Sequence, residues 1–301
     1  MKQLVVLSGK GGTGKTSVAA ALAHLSTGNL GSAKVVLADA DVDAANLELV
    51  MAPKVLDRTD FWGGQLAEID DAACTGCGVC EQVCRFEAVF GKDGVYEIDP
   101  IACEGCAACL FACPNEAISM VDQIAGEWFR SETSYGPLYH AALYPGQENS
   151  GKLVTLIKQH AKLQALDNGR DLVIVDGPPG IGCPVISASS GADLALIVTE
   201  PSVAGVHDMG RILGTTEHFK LQAVVCINKS DLYSEGTTEI EAYCREQDIP
   251  MVGLIPFDVN VTHAMAHGEP VTAFEPKGAA SQALHQIWDR VSALLLGDPE
   301  T

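Results

Sequence analysis

The octapeptide Gly9-Lys10-Gly11-Gly12-Thr13-Gly14-Lys15-Thr16 decides how this chain begins to fold. It lies between the apolar run Leu4–Leu7 and the alanine-rich segment Ser17–Leu25, so the sequence predicts a strand, a glycine loop and a helix. The octapeptide satisfies the phosphate-loop pattern G-x-x-x-x-G-K-[ST]. Its glycines let backbone N–H groups point at phosphates, Lys15 adds positive charge, and the Thr16 hydroxyl can reach Mg²⁺. We therefore expect a nucleotide site.

Further apolar runs follow the octapeptide and alternate with helical stretches. The expected strands cover residues 34–38, 172–175, 194–198, 223–227 and 251–255. This alternation predicts the α/β class, with a mostly parallel sheet covered by helices on both faces. The segment Tyr135–Ser150 is rich in Tyr, Gly and Pro and has no periodicity, so we predict an ordered loop there.

The composition limits the partners that this protein can have. A net charge of −20 disfavours nucleic acid and anionic membranes, because binding to phosphate-rich surfaces needs clustered Lys and Arg. No apolar stretch has the length of a signal peptide or approaches the ~20 residues that span a bilayer. The predicted final helix, Leu284–Leu296, is followed by Asp298, Pro299 and Glu300 instead of a basic tail. We expect a cytoplasmic protein without a membrane anchor.

Polar motifs follow three of the predicted strands. They are Asp39-Ala40-Asp41-Val42, Asp176-Gly177-Pro178-Pro179-Gly180 and Asn228-Lys229-Ser230-Asp231. Acidic residues at strand ends are often solvated turns or helix caps. The presence of the phosphate loop favours a role for Asp41 and Asp176 near Mg²⁺ instead.

Eight of the eleven cysteines lie between Cys74 and Cys113, in two runs of the form C-x2-C-x2-C-x3-C that repeat after 29 residues. This pattern is typical of bacterial ferredoxins with two [4Fe–4S] clusters, in which the fourth cysteine of each run binds the other cluster. The predicted ligand sets are Cys74, Cys77, Cys80 and Cys113 for one cluster, and Cys103, Cys106, Cys109 and Cys84 for the other. Zinc is the alternative, since C-x2-C pairs also occur in zinc ribbons. Arg85 replaces the proline that usually follows the fourth cysteine, whereas Pro114 is present.

The cysteine runs interrupt the alternation of strands and helices. We therefore predict a small α+β ferredoxin-like domain at 63–124, inserted into a nucleotide-binding domain made of 1–62 and 125–301. Acidic residues outnumber Arg85 and Lys92 in this block, which suits docking against basic redox partners or is simply a solvated surface.

Lys10, with the glycines and Lys15-Thr16 that follow it, resembles the deviant Walker A loop of the MinD/ParA/NifH superfamily of P-loop ATPases. The resemblance covers nearly the whole chain outside the insert. It implies a dimer closed over ATP or ADP, in which Lys10 reaches the partner's phosphate. It also implies that Asp41 positions the attacking water near Mg²⁺ and that Asp176 binds Mg²⁺ through water.

The motif Asn228-Lys229-Ser230-Asp231 leaves two nucleotide bases open. It resembles both the base-contacting Asn of MinD-like ATPases, which bind adenine, and the N-K-x-D guanine motif of GTPases. We favour adenine, since Ile255-Pro256-Phe257-Asp258 resembles the adenine-side loop of these ATPases. Asn228, Pro256 and Asp258 are therefore the predicted base contacts.

The loop and the insert together resemble superfamily ATPases with an inserted ferredoxin domain, including those of orange-protein type complexes. This implies an ATPase, as a homodimer or a heterodimer with a paralogue through the nucleotide face, with an unidentified redox or assembly partner. Our first hypothesis couples nucleotide-controlled dimerisation to electron transfer or to redox-dependent partner binding. The second is a positioning or cell-division protein of the MinD and ParA type with structural or sensory clusters. The third is an iron–sulfur cluster carrier.

Overall fold

The structure is a computed structural model in which residues 1–30, 34–147 and 150–297 are described, so Asp298, Pro299 and Glu300 lie outside the described residues. The strands are β1 Lys2–Ser8, β2 Val35–Asp39, β3 Lys54–Ile69, β4 Val89–Lys92, β5 Val95–Ile98, β6 Ile118–Thr133, β7 Gly136–Leu143, β8 Leu172–Pro179, β9 Leu194–Thr199, β10 Ala223–Asn228 and β11 Met251–Ile255. The helices are α1 Lys15–Leu30, α2 Leu47–Met51, α3 Val79–Val83, α4 Ala108–Ala112, α5 Ser150–Asp167, α6 Cys183–Ser189, α7 Gly205–His218, α8 Ser234–Glu246, α9 Val259–His267, α10 Val271–Phe274 and α11 Ala279–Leu296. In the described ranges, no helix is both long and apolar enough to cross a membrane.

The main sheet has the strand order β11-β10-β9-β1-β8-β2-β7-β6-β3. Every pairing from β11 to β7 is parallel. The central strands are buried on both faces, as Leu4–Leu7 of β1 illustrates with no exposed side chain. Such continuous apolar strands are typical of a sheet covered by helices. The predicted α/β fold with a mostly parallel sheet is confirmed.

The chain divides into two compact units, which we describe separately. The first unit comprises Met1–Arg58, Trp128–Ala142 and Ser150–Thr301, and the second comprises Thr59–Glu127 and Leu143–Asn149. The core of the first unit contains α1, the inner strands and α11, with Trp288 among its largest fully buried side chains. The residues predicted as an insert, 63–124, all belong to the second unit.

The second unit is built from two similar halves offset by 29 residues. Helix α3 corresponds to α4, and each helix follows a residue with left-handed backbone, Gly78 (φ 75°) and Ala107 (φ 60°). The antiparallel pair β4–β5 belongs to this unit. A small apolar cluster that includes Val89, Ile118 and most of the cysteines forms its core. The repeat in the sequence is therefore also a repeat in backbone conformation.

The predicted loop Tyr135–Ser150 is wrong over half of its length, because it contains β7. The first six residues of β7 are buried, and Leu138 pairs in parallel with Leu37 of β2. Gly136 and Pro137 suggested a turn, but a proline is tolerated at the start of a strand, where its missing N–H is not needed. Residues 148 and 149 lie outside the described residues. The long strands β3 and β6 were also not anticipated.

Candidate functional site

The phosphate loop joins the carboxyl end of β1 to the first turn of α1. Lys15 opens the helix and is only 6% exposed, and the Val18 N–H donates to the Gly14 carbonyl at 3.0 Å. The Asn228 side-chain amide donates to the Thr13 carbonyl at 2.8 Å. A side chain on Gly14 would overlap that amide, and the φ of +92° also favours glycine there. Asn228 therefore holds the loop from the end of β10.

Two aspartates lie side by side in parallel register, Asp39 at the end of β2 and Asp176 in the second half of β8, and both are fully buried. Asp39 accepts hydrogen bonds from the backbone N–H groups of Asp41 (3.1 Å) and Leu47 (2.9 Å). Burial, reinforced by the charge of Asp176, raises the pKa of Asp39 well above its ordinary value. Sequence reasoning assigned no role to Asp39, which positions the backbone of Asp41.

Neither carboxylate oxygen of Asp176 has a hydrogen-bond partner. Burial raises the pKa of Asp176 to about 6, although the Lys15 ammonium opposes this shift. The nearby Thr16 hydroxyl also lowers this pKa, without reaching hydrogen-bond geometry. Burial likewise raises the pKa of Asp41, again opposed by Lys15.

The structure thus brings Lys15, Thr16, Asp41 and Asp176 together at one edge of the sheet. A buried carboxylate without partners, next to a hydroxyl and a second carboxylate, offers the oxygen ligands that Mg²⁺ prefers. The residues present therefore fit a magnesium ion. A nucleotide held by the loop would place its phosphates beside this group, because the loop N–H groups and Lys15 attract anions.

Lys10 binds a residue that sequence reasoning missed. Its Nζ lies 2.8 Å from Oε1 of Glu200 and donates to the Ser202 hydroxyl at 3.0 Å. The Nζ of Lys229 contacts the other oxygen of Glu200 at 3.0 Å and also donates to the Gly12 carbonyl. Burial raises the pKa of Glu200, but the hydrogen bonds and charges of the two lysines outweigh it and lower the pKa. Glu200 directly follows β9, so the rule that sites lie at carboxyl ends of parallel strands could have found it.

Asn228, Pro256 and Asp258 line one cavity with an open space of about 480 Å³. Its other walls include Val18, Phe257 and Leu284, so the cavity is largely apolar with few polar groups, as ligand pockets usually are. Asp231 does not line this cavity, and its carboxylate accepts the Phe257 N–H at 2.6 Å. Asp258 also caps α9 by accepting from the Asn260 N–H at 2.9 Å.

Cys74, Cys77 and Cys80 line a cavity in the second unit together with Cys113, the last cysteine of the other run. The open space of this cavity is about 310 Å³. Among the remaining four, Cys84, Cys103 and Cys109 pack in the same apolar cluster as Cys80 and Cys113, and Cys106 is exposed. The structure thus brings the last cysteine of the second run to the first run.

The sulfur atoms are presented in equivalent ways in the two halves. The Ala88 N–H points at Sγ of Cys84, and the Ala117 N–H points at Sγ of Cys113, both at 3.4 Å. Within the described residues, no group of three or more His, Cys, Asp or Glu is arranged to hold a single metal ion. Cysteine thiolates are the ligands of [4Fe–4S] clusters, and one cavity collects four cysteines from both runs, so these residues fit such a cluster.

The buried residues His140 and Ser131 form a polar chain with Glu48, which is about half-exposed. The His140 Nε2 is 2.9 Å from the Ser131 hydroxyl, and its Nδ1 is 3.1 Å from the Glu48 carboxylate. Burial lowers the pKa of His140 to about 4, so the imidazole is neutral at pH 7. Ser131 is fully buried and beyond the reach of a substrate, so the chain links α2, which follows Asp41, to β6 and β7. Sequence reasoning missed it because its members are far apart in the chain.

The class of this protein follows from three features: a mostly parallel sheet with a glycine loop after β1, a helix that begins at Lys15, and buried aspartates on the neighbouring strands. Together they define a P-loop nucleotide-binding protein. The family described as the CobQ/CobB/MinD/ParA nucleotide binding domain matches residues 4–271. The chain belongs to this family.

Three similar proteins illustrate the relationship. The uncharacterized protein MJ0578 of Methanocaldococcus jannaschii is 31% identical over 97% of each chain. The cytosolic Fe-S cluster assembly factor Nubp1 homolog of Drosophila grimshawi is 29% identical over 50% of this chain and 53% of its own. The structure of the septum site-determining protein MinD complexed with Mg-ADP, from Pyrococcus horikoshii, has a TM-score of 0.61 at 19% identity, covering 97% of this chain and 96% of that one. At that identity, the last similarity concerns the fold alone.

Proposed function

We propose that this protein is a cytoplasmic, Mg²⁺-dependent ATPase that carries two [4Fe–4S] clusters. In this proposal, nucleotide-controlled dimerisation is coupled to electron transfer or to redox-dependent partner binding. One observation in each unit carries the proposal. The first unit holds the buried, unpartnered carboxylate of Asp176, and the second has a cavity lined by four cysteines from two runs.

Nucleotide binding follows from the phosphate loop and the groups around it. The loop N–H groups and Lys15 would bind the phosphates, while the hydroxyl of Thr16 and the carboxylates of Asp41 and Asp176 would hold Mg²⁺. A bound Mg²⁺ ion would neutralise phosphate charge. Asp41 orients the attacking water, and Asp39 fixes the backbone that carries Asp41.

Adenine is the proposed base, because the cavity that holds Asn228, Pro256 and Asp258 does not contain the carboxylate that an N-K-x-D motif would use. That carboxylate, on Asp231, already accepts the Phe257 N–H. A preference for GTP over ATP in a binding competition would contradict this assignment.

Lys10 supplies the proposed link between dimerisation and hydrolysis. Within its own chain, the ammonium of Lys10 contacts Glu200 and donates to Ser202. In a dimer, whether of identical chains or with a paralogue, it would leave these residues for the partner's phosphate and stabilise transition-state charge. In this proposal, the contact with Glu200 is the position of the lysine before dimerisation.

The clusters would be held by Cys74, Cys77, Cys80 and Cys113, and by Cys103, Cys106, Cys109 and Cys84. Each cluster would supply a one-electron redox centre. The N–H groups of Ala88 and Ala117 hydrogen-bond to the last sulfur of each run, and such bonds stabilise negative charge on sulfur.

The decisive experiment has two parts, both on anaerobically purified protein. Iron and sulfide analysis, with the absorption spectrum, tests the clusters; a zinc-containing, colourless protein would refute them. ATP turnover is then compared with the clusters oxidised and reduced, and the cluster potential is measured with and without Mg-ATP. If neither quantity changes, coupling is excluded even though the ATPase assignment stands.

Two other functions are favoured by specific similarities. The sequence similarity to a septum site-determining protein MinD favours a positioning protein, which predicts a nucleotide-dependent location in cells with no dependence on cluster oxidation state. The partial similarity to an iron–sulfur assembly factor favours a cluster carrier, which predicts transfer of iron and sulfide to an apo-protein within minutes. Permanent clusters through such an incubation would argue against the carrier.

A further inference from the structure

The second unit has a groove where its two similar halves meet. The groove is lined by pairs of residues that correspond across the 29-residue repeat, Glu68 with Glu97 and Ile69 with Ile98. Tyr96 and Asp71 also line the groove, and its open space is about 670 Å³. We refer to it as the repeat groove.

The apolar floor of the repeat groove is one side chain away from the cysteines. Ile69 and Tyr96 line both the groove and the cavity that contains Cys74 and Cys113. Ile98, with Ile69, packs against the apolar cluster of the unit, in which cysteines of both runs take part. A protein docked in this groove would therefore be close to both proposed clusters.

The rim of the groove is acidic, and so is the rest of residues 59–127. Glu68 and Asp71 are exposed, whereas Glu97 is paired with Lys92 at 2.8 Å. Residues 59–127 contain thirteen Asp and Glu but only two basic residues, Arg85 and Lys92. An apolar floor with a negative rim is complementary to an apolar patch surrounded by Lys and Arg.

We propose that the repeat groove is the docking surface for a basic protein that carries a one-electron redox group. This rests on the proposed function, because the clusters make the position of the groove useful. In the transfer step, one electron passes between the reduced protein and the oxidised group of the partner, and no bond is made or broken. The acidic rim sets orientation and association rate, and the apolar floor provides the close contact.

The test uses ferricytochrome c, a basic haem protein, as the probe and the full-length protein with its clusters. Binding is first measured by calorimetry at low ionic strength with both proteins oxidised, so that no electron transfer takes place. The variant Glu68→Gln/Asp71→Asn is expected to bind about tenfold more weakly, since two favourable charge pairs are lost. The dithionite-reduced variant should also reduce the haem more slowly, with a weaker dependence on salt.

The matched control is Glu87→Gln/Glu116→Gln, which removes the same charge at two exposed positions that correspond across the repeat but do not line the groove. Its binding is expected to change by less than about twofold. Equal losses in the two variants, or no loss in either, would overturn the docking site. Iron and sulfide content of each variant separates this failure from that of the proposed function, since protein without clusters would refute the latter directly.

Discussion

Replacing Asp176 by Asn is expected to stabilise the nucleotide-free protein and to remove its response to Mg²⁺. Asp176 is fully buried, neither of its oxygens has a partner, and its neighbour in register is a second buried aspartate, Asp39. The folded protein without Mg²⁺ therefore holds a carboxylate in a place that disfavours its charge. Asparagine removes that charge with almost no change in volume.

The size of the effect follows from the pKa. Burial raises the pKa of Asp176 from 3.8 to about 6, and each pH unit corresponds to about 1.4 kcal/mol, which gives a cost of about 3 kcal/mol. Because the folded-state pKa is above the unfolded one, this cost is fully present above pH 6 and disappears as the pH falls from 6 to 3.8. The amide is itself buried and polar, so we expect a net gain of about 1–3 kcal/mol at pH 7.5.

Urea unfolding at pH 7.5 and pH 4 measures this difference, with and without Mg-ADP. Asp176→Asn should be the more stable protein at pH 7.5, and the difference should shrink towards pH 4. Mg-ADP should stabilise the wild type much more than the variant. The exposed Asp167→Asn serves as the control and should change stability by less than about 0.5 kcal/mol. A variant less stable than the wild type at pH 7.5, or one equally stabilised by Mg-ADP, would refute the argument.

Three further outcomes are expected. Lys158→Met should lower the free energy of unfolding by about 2–4 kcal/mol at pH 7, because three carbonyl oxygens at the end of α6 lose their buried donor. Burial lowers the pKa of Lys158 from 10.5 to about 8, so the unfolded protein binds the proton more tightly than the folded one. Urea titrations should therefore show the wild type gaining stability relative to this variant as the pH rises from about 8 to 10.5. Cys113→Ser should halve the iron content and Cys113→Ser/Cys109→Ser should remove nearly all of it, whereas ligand sets confined to single runs would leave half in the double variant. Glu200→Gln should raise the rate of amine labelling at Lys10 several-fold by peptide mass spectrometry, and an unchanged rate would mean that the contact does not protect this lysine.

The parts of the fold that were predictable are those whose residues repeat in a simple pattern. The glycine loop and the apolar runs after it predicted a parallel sheet, because strands buried on both faces must be continuously apolar. The edge strand β3 escaped prediction for the opposite reason. Its first seven residues are exposed, so they carry no apolar run or clear alternation. In β7, the glycine and proline at its start concealed a buried strand.

The site was predictable where one motif contains the chemistry. The phosphate loop is such a motif, and membership of the predicted P-loop family is confirmed. Glu200 and the chain from Ser131 through His140 to Glu48 were missed, because their partners are brought together only by the strand order. Asp39 was part of a recognised motif, but the backbone hydrogen bonds that define its role depend on the conformation of the turn after β2.

The contacts that Asn228 and Lys229 make with the phosphate loop have a consequence for how fast and how tightly a nucleotide can bind. The side chains of these two residues donate to the carbonyls of Thr13 and Gly12, so contacts within the protein itself fix the backbone of the loop. The loop is therefore preorganised, and little conformational entropy is lost when phosphates arrive. We expect association close to the rate of diffusional encounter, without a slow ordering step, so that differences in affinity between nucleotides arise mainly in their residence times.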